Sequence, residues 1–120
     1  MRKDKEMTDE YKPEEINQSR GPVLAFRGRL IASEERETKG RDPMTVLTEI
    51  FETEGGAYVA VSSMAPIERE GFEDVRAAVI APGPDEVARR CAVMDFFNWD
   101  HHARKMCVKK LKWRFRVEVA

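Results

Sequence analysis

The stretch Asn98–Ala120, NWDHHARKMCVKKLKWRFRVEVA, gathers Asp100, His101, His102, Cys107 and seven Lys or Arg residues. Such side chains serve metal ligation, thiol catalysis, phosphate contact or charge-driven docking. Metal ligands on one helix converge when they lie three or four residues apart. His101 and His102 are adjacent, about 100° apart around a helix, and Cys107 lies about 140° beyond His102. No C-x-x-C or H-x-x-x-H spacing recruits Cys91 as a further ligand. The spacing therefore assigns no metal site. It places the histidines at a helix start, with Cys91 and Cys107 packing as small apolar side chains.

Nucleophilic catalysis by a Cys–His pair needs a polarised, partly exposed thiol. The lysines around Cys107 would lower its pKa if the sulfur were exposed. Ala103, Cys107 and Leu111, however, share one helical stripe, which reads as buried. No G-x-S-x-G elbow, phosphate-binding P-loop or dinucleotide fingerprint occurs. Glu52 and Glu54 lie two apart, as do Glu68 and Glu70, but paired carboxylates hydrolyse glycosides only when held across a cleft. Arg27 and Arg29 are ready cross-strand partners for such acids on a solvated sheet face. No catalytic residue and no cofactor is assigned.

Charge is more informative. Residues 101–120 hold seven Lys/Arg against one acid, leaving 14 bases and 21 acids in residues 1–100. Lys105, Lys109 and Lys112 fall within about 60° of one another on a helix. Arg114 and Arg116 share the outer face of the segment that follows. These five residues are the expected partner-binding patch. A protein partner is the leading expectation, with a homodimer as one form of it. Nucleic acid comes second: the whole-chain pI is near 6.2, and Trp113 and Phe115 alternate away from the arginines, as core rather than as base-stacking platforms. A small-ligand binder or enzyme with an unrecognised pocket comes third. The overall expectation is a small cytoplasmic, non-enzymatic interaction or regulatory protein, resembling in physique the accessory proteins and inhibitors of bacterial or phage systems.

The elements that would position this patch are legible from periodicity. Residues 1–20 are polar and read as a charged arm. The remainder, 21–120, is long enough for one domain, and no run approaches the length of a membrane-spanning segment. In PVLAFRGRLIAS, Leu24, Phe26, Gly28, Leu30 and Ala32 alternate with Arg27 and Arg29, a half-buried strand. Residues 34–43 read as a polar connection, 44–54 as a second strand, and Gly55-Gly56 as the turn into a third. Residues 72–81 suit a strand or a helix. Pro84, Asp85 and Glu86 then open a helix whose apolar stripe is Val87, Cys91, Met94 and Phe97. Asn98 or Asp100 caps a second helix from His101, and KWRFRVEV reads as a closing strand with Trp113, Phe115, Val117 and Val119 inward. The expected fold is α+β: an antiparallel meander of 4–5 strands with two helices packed on one face, in the order β-β-β-(β)-α-α-β.

Overall fold

A computed structural model describes residues 10–67, 75–115 and 119. The fold is α+β: an antiparallel meander followed by two helices. The strands are β1 (Lys12–Ile16), β2 (Leu24–Glu37), β3 (Met44–Thr53), β4 (Tyr58–Pro66) and β5 (Val75–Ala81), and they lie side by side in that order. Helices α1 (Glu86–Phe96) and α2 (His101–Lys109) pack on one face. Among the described residues no helix is long and apolar enough to cross a membrane.

The sheet curls until its two edges meet. Just beyond β1, the Ser19 amide donates to the Arg76 carbonyl at 2.9 Å, the Arg76 amide to Ser19 Oγ at 2.8 Å, and the Ala78 amide to Gln18 Oε1 at 3.1 Å. Side-chain and backbone groups thus satisfy part of the outer edge of β5, which would otherwise invite another strand. Curling creates two cores. Ile16, Leu30, Phe51, Val59 and Val61, with Leu24, Phe26 and Ala78, fill the concave side and come from all five strands. On the convex side Ala32, Ile50, Tyr58, Ala60 and Ala81 pack against Val93, Phe97, Ala103, Met106, Cys107 and Trp113. β3 therefore has cover on both faces, and Val46–Phe51 is buried throughout.

β2 departs from simple alternation. Its register with β3 shifts between Leu30, opposite Phe51, and Ala32, opposite Ile50, so Ile31 is an extra residue in the strand. Such a bulge reverses which face later residues take. Leu24, Phe26, Gly28 and Leu30 do share the concave side, but Ala32 turns to the helix side with Ile31. Glu34 and Arg36 follow Ala32 onto that convex face. Residues 34–37 also belong to the strand rather than to a connection: they pair with Thr48–Thr45, so β3 satisfies their backbone although their side chains are charged.

Other expectations shift for similar reasons. Residues 12–16, within the stretch read as an arm, form the strand paired with Leu24–Gly28. Of the ambiguous stretch, 75–81 is strand, and 72–74 lie outside the described residues. In the hairpin before β4 only Gly56 takes a positive φ (92°), while Thr53 Oγ1 accepts from the Ala57 amide at 2.9 Å. Among the described residues no closing strand is seen: residues 111–115 are irregular, 116–118 and 120 lie outside the described residues, and Val119 is 89% exposed instead of inward. Trp113 is nevertheless buried and Phe115 half-buried against the convex core, with Arg114 exposed between them. At Trp113 and Phe115 the alternation recorded burial without strand pairing.

Candidate interaction surface

The position of α2 is fixed from below. Asp100, fully buried, is its N-cap: one carboxylate oxygen accepts the Ala103 amide at 3.0 Å and pairs with Arg36 of β2 at 3.3 Å. A short acidic side chain here satisfies a helix-end amide and meets the positive end of the helix dipole. Ala103, Met106 and Cys107 form the buried stripe, so the opposite face of α2 must point outward. That face carries His101, Arg104, Lys105, Val108 and Lys109, all exposed.

The five residues expected to bind a partner are only partly brought together. Lys105 and Lys109 lie one turn apart on α2 and are exposed. Lys112 is exposed but has left the helix, which ends at Lys109 and is capped by the Lys110 amide donating to the Met106 carbonyl at 2.8 Å. Lys112 adopts a left-handed backbone (φ 57°), which reverses the chain and lets the Trp113 amide reach the Cys107 carbonyl at 3.1 Å. Burial of the Trp113 ring offsets the strain of a left-handed lysine. Arg114 is exposed, its carbonyl accepting from Arg90 at 3.5 Å, and it lies in irregular chain rather than on a strand. Arg116 lies outside the described residues.

The stripe of α2 nearest β2 forms one wall of a groove of about 270 Å³, lined by Glu34, His102, Lys105, Met106, Lys109 and Lys110. Lys110 closes it, its ammonium donating to the Ser33 carbonyl at 3.1 Å. Glu34 reaches the groove only because the bulge at Ile31 turned it to the convex face. Comparison with models of known families, with curated proteins and with solved structures gives no match.

Sequence reasoning overlooked Trp99. It sits in the turn between the helices and is 55% exposed, next to the cationic helix. Its signal was available: Trp99 falls between two helical stripes and belongs to neither. A second cluster was invisible in sequence because its members come from three elements. Tyr58 donates to Glu86 at 2.5 Å, Arg89 and Arg90 pair with the same carboxylate, and their guanidiniums lie over the Tyr58 and Trp113 rings at 5.6 and 5.7 Å. Burial and the bond to Glu86 push the Tyr58 hydroxyl up to about 12, while that hydroxyl and the two arginines hold Glu86 below the usual carboxylate range. All these groups serve one another, so the cluster clamps the start of α1 and the C-terminal segment onto β4.

This clamp also turns α1. Its buried residues are Val93 and the following Phe97, with Arg89 and Arg90 half-buried, and Cys91 is exposed instead of lying on an inward stripe. The arginine stems supply apolar cover that a hydrophobicity pattern does not register. Cys107 is buried, and desolvation pushes its thiol up to about 12, far from a reactive thiolate. Glu52 and Glu54 meet Arg29 at 2.7 Å and Arg27 at 3.2 Å across the strands. Tyr11 also donates to Glu52 at 3.1 Å. Among the described residues no three His, Cys, Asp or Glu side chains converge as metal ligands.

Proposed function

We propose that this chain is a small docking protein that acts by protein–protein contact, without catalysis. Its contact surface is the outward face of α2 and the segment after it: Arg104, Lys105, Lys109, Lys112 and Arg114. One observation carries this reading. These five cations are exposed and form no ion pair among the described residues. Several acids elsewhere are matched internally, among them Glu52, Glu54, Glu86 and Asp100. A one-signed exposed patch steers and selects a partner of opposite charge. Trp99 and Val108, 55% and 49% exposed, supply the aromatic and apolar anchors that dominate interface energetics. The partner is accordingly an acidic protein surface.

The test is cross-linking mass spectrometry in native cells with the wild type and a Lys105→Glu, Lys109→Glu, Lys112→Glu variant. The expected result is loss of one specific partner with an unchanged melting temperature. An unchanged set of cross-links refutes the reading. Trp99 favours a second reading, contact with single-stranded nucleic acid, because an exposed indole beside cations is how such strands are stacked and tracked. Binding of an oligothymidylate that collapses with rising salt would support it, and no binding at low salt removes it.

A further inference from the structure

The groove between α2 and β2 specifies what kind of acidic segment docks. His102, Lys105 and Lys109 stand at i, i+3 and i+7 on α2 and so share one stripe, with Met106 set deeper between them. Lys110 is anchored by the Ser33 carbonyl at one end, and Glu34 faces the lysines from β2. Three ammonium groups against one carboxylate leave the groove cationic, and the thioether gives it an apolar floor. At about 30 Å³ per water, 270 Å³ corresponds to roughly nine waters, room for a short run of side chains.

We infer that the groove seats a short acidic–apolar segment of a partner protein, with an Asp or Glu carboxylate among Lys105, Lys109 and Lys110 and a neighbouring aliphatic side chain along the methylene stems of Lys105 and Lys109, above buried Met106. The inference rests on the docking reading and narrows it. A phosphodiester strand fits less well: it carries a charge at every unit and would set one against Glu34. A peptide can place its carboxylate on the lysine side and a neutral residue beside Glu34.

The test uses the full chain and fluorescence anisotropy with four probes: a labelled Asp-Leu peptide flanked by Gly-Ser, its Asn-Leu counterpart, inorganic phosphate as competitor, and a labelled oligothymidylate. The Asp-Leu peptide binds and the Asn-Leu peptide does not. Lys109→Glu weakens binding about tenfold, combining a lost attraction with a new repulsion, and Glu34→Gln tightens it about threefold. Lys109→Gln, which is milder, gives an intermediate loss and guards against a folding defect. Lys12→Glu, an exposed charge reversal on β1 and outside the contact surface, changes peptide binding less than twofold. If Arg104→Glu weakens the peptide while Lys109→Glu does not, the groove assignment falls and the docking reading stands. Equal affinity for both peptides, or phosphate competing as strongly as the acidic peptide, also overturns the groove assignment. If only the oligothymidylate binds and cellular cross-links ignore the charge reversals, both readings fall.

Discussion

Replacement of Asp100 tests what holds the proposed surface in place. The carboxylate has two roles: it caps α2 through the Ala103 amide and it neutralises Arg36. Asparagine caps helices about as well as aspartate, so Asp100→Asn removes chiefly the charge pair. Breaking a fully buried pair costs about 3–5 kcal/mol. Arg36, however, keeps 25% of its side chain exposed and can turn to water, so the loss should be about 1–2 kcal/mol. Asp100→Ala also forfeits the capping bond, roughly 1 kcal/mol more. At about 4 °C per kcal/mol for a chain of this size, the asparagine variant should melt about 4–8 °C lower and the alanine variant about 8–12 °C lower. Thermal melts by circular dichroism, with urea titrations to check the midpoints, measure both. A double-mutant cycle with Arg36→Gln should return a coupling of about 1 kcal/mol. Equal losses for Asn and Ala would show that the cap contributes nothing, and an additive cycle would remove the ion pair. The consequence reaches function, because the groove has one wall on α2 and one on β2: loosening this tie should weaken acidic-peptide binding before the chain unfolds.

Four further outcomes follow from particular contacts. A methyl group on Gly28 would meet the Phe26 ring at 2.7 Å, so Gly28→Ala should cost about 1–3 kcal/mol in urea unfolding as the ring loses its edge contact with Phe51. Lys112→Gly relieves a left-handed lysine and should raise stability by up to about 1 kcal/mol, whereas Lys112→Val should lower it. In native protein a thiol reagent should label exposed Cys91 promptly and buried Cys107 only on unfolding, which mass mapping of the labelled peptides resolves. Tyr58 ionises near 12 when folded and near 10 when unfolded, so its contribution is complete below pH 10 and lost as pH rises towards 12. Glu86 shifts the opposite way, and its contribution is present above the ordinary carboxylate pKa and lost as pH falls through its lowered value. Melting temperature against pH should show both limbs, and Tyr58→Phe should shallow the alkaline one, to which buried Cys107 also contributes.

Local physics made much of this chain legible. Periodicity and turn residues marked β2, β3 and β4, Gly56 the hairpin, and Asp100 the helix start at His101, because each depends on residues within a few positions of one another. β1 lay in the stretch read as an arm and β5 in one that suited strand or helix alike. The inward turn of Trp113 and the pairing of Arg27 and Arg29 with Glu54 and Glu52 followed from the same alternation. What the sequence could not decide was how distant pieces meet. One extra residue at Ile31 reversed the faces of β2 and brought Glu34 opposite the lysines. Arginine stems covering Tyr58 and Trp113 turned α1 so that Cys91 points outward. Lys112 left the helix because burying Trp113 outweighed the strain of a left-handed lysine. Side-chain type and period determined the elements and their apolar faces. The groove and the clamp depend on contacts between residues more than twenty positions apart, such as Arg36 with Asp100 and Tyr58 with Glu86, and only packing in three dimensions could set them.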